Sequence, residues 1–411
     1  MSRRPALQAV LLALLLVLPH LLFLAVDQRP PNDHDTWYTK GVADSWTNAQ
    51  LAPDAVGKVK AVAEHFLFEG WHPQLAQTLM LAAMVLLGPS LLVFRGINLL
   101  FWALLVGSTY AVGRQLRSHR LGLVAMTLVA WMPGMLAYAR KWEPMFHGSA
   151  FSAFAWALAL RCLAPDAARL RWPWLALGCA LGARFYTHPT GLPDLGLTLA
   201  LTPLFAFVLA RRRGEALGPL LRRAAMLGGT TLALGAWYLG LLPVVAQEPS
   251  YKLEYYLGWR ASYVGGGEGD LLQRQVQGLR KLSNALWHWH WHPVMALALG
   301  FPGLLAAGRQ IARVPVTGAG LLGAIFLLQL PLVQITFANG AVTPDWLHLM
   351  PLAIILAAFG LSALVDVGGR LGQGGRALLV VSLGYAALSA VGPQVVSLAG
   401  PDPLLDSRAY R

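Results

Sequence analysis

Apolar runs about 20 residues long alternate with short polar breaks along this chain. The first covers residues 6–26. Others follow at 96–113, 121–139, 146–163, 172–188, 192–210, 224–246, 293–308, 316–337, 347–366 and 377–399. An α-helix needs such a run to cross a hydrocarbon core about 30 Å thick, and only helices or closed barrels satisfy their backbone there. The pattern predicts an all-α membrane protein of about 11 transmembrane helices (10–13), counted from ~20-residue windows. Residues 1–399 read as a single polytopic domain and 400–411 as a short extracytoplasmic tail.

The first long polar break, 27–95, is not a plain connector. Tyr38, Val42 and Trp46 recur at four-residue spacing and share a helical face. Asp35 stands where a helix cap belongs. Pro53 and Asp54 open a second helix, with Val56, Val59, Ala63 and Phe66 as its apolar stripe and Gly70 at its end. Both helices suit the membrane interface rather than a crossing. The run PQLAQTLMLAAMVLLGPS (73–90) reads as either a span or a short juxtamembrane helix. Charge decides. With 73–90 not spanning, the basic loops holding Arg114, Arg117 and Arg120, Arg161, Arg169 and Arg171, Arg211–Arg213, Arg222 and Arg223, Arg309 and Arg313, and Arg370 and Arg376 all face the cytosol. Arg3 and Arg4 place the N-terminus there too. The outward loops are then 27–95, RKWEPMFHG, FYTHPTG, the long 247–292 and ANGAVTPDW, where most acidic and aromatic-polar residues collect.

Composition sharpens this picture. The chain is 56% hydrophobic and 12% charged, more apolar than a soluble core requires. Its net charge of +13 is a membrane-topology signal, so no nucleic-acid partner follows from it. Cys162 and Cys179 lie in or beside apolar runs and read as inert thiols, not a disulfide framework. Residues 6–26 are too long for a signal-peptide core and stay in the count as a span. GGRLGQGGR near 368–376 reads as a Gly-rich loop. The span centres are nearly free of carboxylates and lysines, which argues against an ion-coupled transporter.

Several outward residues carry chemistry. Asp35 is either a helix cap or a general base for an acceptor hydroxyl. Glu143, among Arg140, Lys141 and His147, either orients a substrate or closes a local ion pair. The long loop sets Lys252 and Arg260 among Tyr255, Tyr256 and Trp259. Such a mixture fits an anionic, sugar-bearing headgroup or an interfacial aromatic belt. In WHWHWHP, His288, His290 and His292 would share one face of an extended segment and offer imidazoles to a metal; alternating Trp explains the run equally as an interface segment. Arg184 ends a span at the outer side, where an intramembrane cation calls for an anionic partner.

Taken in order, these segments resemble a known family. An N-terminal span followed by Asp35-Thr36-Trp37-Tyr38 is similar to the D-x-x-Y start of the GT-C superfamily, the polytopic glycosyltransferases that use polyprenyl-phosphate sugars. Protein O-mannosyltransferases and lipid A aminoarabinose transferases belong there. WHPQLAQTL (71–79), LLGPSLLVFRGINLLF (86–101), YAVGRQLRSHRLGLVAMTLVAWMPGMLAYAR (110–140), EPMFHGSAFSAFAWAL (143–158) and DWLHLMPLA (345–353) resemble further family segments in the same order. The resemblance covers residues 1–165 well and the remainder weakly. It implies a multi-span helical domain with interface helices in its first outward loop.

Carried over, Asp35 matches the first-loop catalytic acid and Glu143 the second outward acid. His72 takes the place of a Lys that faces the lipid phosphate, and Arg95 matches the Arg after the G-x-S stretch. The family's D-E pair reads Asp35-Thr36, and Glu143 stands for the commoner Asp.

The expected activity is transfer of a sugar from a polyprenyl-phosphate-linked donor to a lipid, glycan or protein hydroxyl. It would occur outside a bacterial inner membrane, with inversion, and requires no cofactor. Asp35 is the base; His72, Arg95, Arg184, Lys252, Arg260, Tyr255 and Tyr256 hold donor phosphate and sugar. A lipid-linked glycan or solute transporter, or a non-catalytic membrane subunit, are the alternatives.

Overall fold

A computed structural model describes residues 3–26, 33–68, 75–132, 135, 136, 139, 144–165, 170–187, 192–245, 273, 276, 280, 299–336 and 347–399. Among these residues every regular element is helical. The helices are α1 (Arg3–Val26), α2 (Asp33–Leu51), α3 (Ala55–Phe68), α4 (Leu75–Leu87), α5 (Leu91–Leu116), α6 (His119–Trp131), α7 (Pro144–Cys162), α8 (Trp172–Phe185), α9 (Leu192–Arg212), α10 (Leu217–Val245), α11 (Phe301–Arg313), α12 (Gly318–Thr336), α13 (Leu349–Val367) and α14 (Gly369–Ala399).

Three described segments are long and apolar enough to cross a membrane: 95–116, 192–212 and 349–367. Apolar residues also cover the outside. On α1 Leu7, Val10, Leu11, Leu14 and Leu15 are all about half exposed while Leu16 is buried. Meanwhile Arg184, Asp194, Gln329, Ser152, Thr198 and Thr202 are fully buried. Apolar outside and polar within is what a hydrocarbon solvent selects.

The core is centred on α13, whose residues Leu349–Leu361 are buried on every face. Small residues bring helix backbones together, as packing without a hydrophobic drive requires. A Cβ on Gly303 of α11 would stand 2.6 Å from the Ala357 carbonyl oxygen of α13, and Gly360 meets the Gly303 carbonyl in return. Likewise a Cβ on Gly113 of α5 would lie 2.9 Å from Gly122 Cα of α6. Side-chain caps by Ser90 and Ser118 start α5 and α6.

The first break folds as two helices. α2 buries Val42, Ser45 and Ala49, and Ser45 Oγ hydrogen-bonds His65 Nδ1 of α3 at 2.8 Å. Asp54 caps α3 by accepting from the Gly57 amide at 2.7 Å. Asp35 is not the cap expected of it: α2 already begins at Asp33, so Asp35 lies in its first turn. Of the predicted stripe of α3, Val56, Val59 and Ala63 face outward. Val56 and Val59 are exposed while Ala61 and His65 pack inward, since contact with α2 selects a different face.

With 13 residues, α4 is about 20 Å long at 1.5 Å per residue, well short of a bilayer core. Two further expectations are corrected. The run predicted at 293–308 is helical over Phe301–Arg313, so Arg309 and Arg313 sit on the helix rather than in a loop. The Gly-rich stretch is also helix: only Gly368 and Gly369 turn, with φ of 76° and 56°, and α14 starts at once. Glycines suit this helix because α13 crosses closely; a Cβ on Gly372 would be 3.0 Å from the Val365 carbonyl oxygen. Cys162 and Cys179 are both free.

Candidate functional site

Polar side chains line the contacts of α7 with α5 and with α8 and α9, towards the helix ends that the charge pattern assigns to the outer side. Arg95 lies in the second turn of α5 and is buried. One turn on, Asn98 Oδ1 accepts from His147 Nε2 of α7 at 2.7 Å, and the His147 ring lies 4.3 Å from that of Phe101. The neighbouring Gly148 abuts the guanidinium of Arg184 from α8; a Cβ there would be 2.7 Å from Arg184 Cζ.

Arg184 is fully buried. Its Nε donates to Ser152 Oγ at 2.9 Å and its Nη1 to Thr187 Oγ1 at 3.1 Å; Thr187 in turn donates to the Arg184 carbonyl at 2.7 Å. The Leu75 amide of α4 donates to the Tyr186 carbonyl at 3.0 Å, and the Tyr186 hydroxyl to the Leu234 carbonyl of α10. The outer end of α8 is therefore pinned from three sides.

Behind Arg184 sits a carboxylate that sequence reasoning passed over. Asp194, in the first turn of α9, is fully buried. Its Oδ1 accepts from Trp156 Nε1 of α7 at 3.0 Å, from Gln329 Nε2 of α12 at 2.7 Å and from Thr198 Oγ1 at 3.5 Å. Two stripes build the arrangement. Gly148, Ser152 and Trp156 lie four apart on α7; Asp194, Thr198 and Thr202 do the same on α9. The second stripe was the available signal: within LPDLGLTLALTP, polar residues at i, i+4 and i+8 are the buried face of a helix whose outside faces lipid. Among the described residues, Asp194 Oδ2, Gln329 Oε1 and Thr202 Oγ1 have no hydrogen-bond partner.

The remaining candidates divide simply. The backbone of Asp35 is in α2, but its side chain lies outside the described set. His72, Glu143, Lys252, Tyr255, Tyr256, Arg260, His288, His290 and His292 lie outside the described residues altogether. Of the predicted phosphate-facing cations, Arg95 on α5 and Arg184 on α8 are both buried, each on a helix packed against α7. Among the described residues no three His, Cys, Asp or Glu side chains gather as a metal site.

No family model matches the sequence, and no curated protein matches it. Solved structures do. The aminoarabinose transferase ArnT from Cupriavidus metallidurans, bound to undecaprenyl phosphate, superposes with a TM-score of 0.61 at 14% identity, covering 98% of this chain and 74% of that one. Its apo form gives 0.61 at 15% identity, with 98% and 77% covered. The oligosaccharyltransferase AglB from Archaeoglobus fulgidus, in complex with an inhibitory peptide and a dolichol-phosphate, gives 0.51 at 14% identity, with 99% of this chain covered. The present chain spans 56% of that larger protein. At such identities the likeness is one of architecture: this chain shares its helical fold with these proteins.

Proposed function

We propose that this protein is a membrane glycosyltransferase that takes a sugar from a polyprenyl-phosphate carrier and delivers it to an acceptor hydroxyl on the extracytoplasmic face. The observation that carries this reading is a GT-C-like fold that buries two cations, Arg95 on α5 and Arg184 on α8, in a chain that shares its architecture with an undecaprenyl-phosphate-bound enzyme. A lipid phosphate leaving group needs such positive charge, because charge develops on it as the glycosidic bond breaks.

In this scheme Asp35 takes the proton of the acceptor hydroxyl, and the freed oxygen attacks the anomeric carbon from the face opposite the phosphate. The bond from that carbon to the phosphate oxygen breaks, the configuration inverts, and polyprenyl phosphate departs with the bonding pair. Arg95, Arg184, His72, Lys252 and Arg260 meet its charge. Glu143 orients the acceptor, and Tyr255 and Tyr256 pack on the sugar. No step needs a metal. The setting is a bacterial inner membrane with a cytosolic N-terminus.

Mass spectrometry of cell-envelope lipids and glycans, with and without the protein, tests this. One species should lose the mass of one sugar residue on deletion, and the wild-type chain should restore it. A folded Asp35→Asn variant should not. Restoration by that variant removes Asp35 as base; an envelope unchanged by deletion removes the transferase reading.

A further inference from the structure

We propose that the mouth between α8 and α10, on the side that the charge pattern assigns to the cytosol, binds an anionic phospholipid whose phosphate is held by Arg222 and Arg223. This site is separate from the sugar transfer proposed above and does not depend on it.

The first observation lies in the choice of cation. Every lysine of the chain, Lys40, Lys58, Lys60, Lys141, Lys252 and Lys281, falls in a loop assigned outside, and the cations assigned inside are arginines without exception. Membrane topology does not require this, because lysine and arginine serve the positive-inside rule alike. They differ toward phosphate. A guanidinium is a planar fork that takes two oxygens together, whereas an ammonium is a point charge.

The second observation is local. α8 and α10 pack together, with Gly178 and Gly182 meeting Thr230 and Leu234; a Cβ on Gly178 would stand 2.8 Å from that of Thr230 and 3.3 Å from the Leu227 carbonyl oxygen. Towards the loops, this face of α10 carries the buried Leu227 and then, four residues earlier in sequence, Arg223. Arg223 is half-buried. Its Nη1 donates to Met226 Sδ at 3.4 Å, a weak acceptor, and its buried Nε has no hydrogen-bond partner. A buried guanidinium donor calls for an acceptor, and no carboxylate supplies one. Among the described residues Arg213 pairs with Glu215 at 3.6 Å and donates to the Leu163 carbonyl at 3.3 Å, whereas Arg171, Arg211, Arg212, Arg222 and Arg223 have no acidic partner.

The surroundings select a lipid over a free anion. Leu221, next to Arg222, is 59% exposed, and Trp172 at the start of α8 is 53% exposed. A phosphate that carries acyl chains covers such apolar groups while it meets the cations; inorganic phosphate leaves them bare. Basic pockets between helices at the cytosolic boundary suit anionic headgroups for this reason.

The test uses the purified full chain in detergent, with binding read by native mass spectrometry. The probes are phosphatidylglycerol and phosphatidylcholine with identical acyl chains. Wild type should retain phosphatidylglycerol in preference. Arg222→Gln, at an exposed position, should lower that preference about fivefold, the effect of one cation beside an anionic lipid surface, and the pair with Arg223→Gln should lower it further. Arg222→Lys with Arg223→Lys keeps the charge but not the forks, and should still lose about fivefold, the scale of one hydrogen bond. Arg370→Gln with Arg376→Gln, exposed on α14 and also assigned inside, should leave the preference unchanged. Excess inorganic phosphate should not displace the lipid. The proposal is overturned by equal binding of the two lipids in wild type, by full retention in the Gln or Lys pairs, or by an equal loss in the α14 pair. Displacement by inorganic phosphate would make the occupant a free anion and overturn the lipid assignment.

Discussion

Replacing Gly148 by alanine tests the geometry of the site with one methyl group. The added Cβ would stand 2.7 Å from Arg184 Cζ, and closer still to Nη1. Carbon atoms rest about 3.5–4.0 Å apart, so the guanidinium must withdraw by roughly 1 Å. That displacement stretches the 2.9 Å bond from Nε to Ser152 out of hydrogen-bonding range. Losing a hydrogen bond to a charged group costs about 1.5–3 kcal/mol. Against it stands the usual gain of Ala over Gly inside a helix, about 0.5–1 kcal/mol. The loss prevails, and Gly148→Ala should be destabilised by roughly 1–2 kcal/mol.

Gly107→Ala supplies the control, because Gly107 has no atom within 4 Å of its virtual Cβ and is also within a helix. The propensity gain is shared and cancels in the comparison. Thermal unfolding of the two purified variants in one detergent should therefore separate them by the lost bond, about 1.5–3 kcal/mol. Equal melting temperatures, or a more stable Gly148→Ala, would refute the close fit of Arg184 over α7.

Gly360→Leu should be more severe, since its Cβ meets the Gly303 carbonyl of the facing helix and neither backbone can yield. Loss of the monodisperse peak in size-exclusion chromatography, with a much lowered melting temperature, is the expected result. Ser45→Ala should cost about 1 kcal/mol by deleting the bond to His65, and limited proteolysis should find faster cleavage confined to α2 and α3.

The elements of this fold were legible to the extent that hydrocarbon dictates them. Runs of apolar residues located α1, α5, α7, α9, α12 and α13 to within a few residues, because helix length and bilayer thickness fix one another. Failures arose where local rules yielded to packing. Glycine-rich sequence signals a loop when read locally, yet Gly372 is required by the approach of α13 and sits inside α14. The apolar residues of α3 were rightly grouped, but sequence could not say that this face looks outward while Ala61 and His65 pack inward. At the site, Arg184 stood out as a cation in an apolar run. Asp194 did not, because a carboxylate just after a proline at a helix start resembles an ordinary cap. Only the fold brings it to Trp156 and to Gln329, 38 and 135 residues away.

That last separation has a consequence for biogenesis. Asp194 leaves the ribosome and enters the bilayer long before Gln329 exists. At roughly 5–20 residues per second, 135 residues take about 7–27 s to synthesise. Through that interval the acidic end of α9 must stay at the aqueous boundary or against the insertion machinery. Assembly of this corner of the protein is therefore timed by translation of its second half, and chains that stall before α12 should be the ones that quality-control proteases remove.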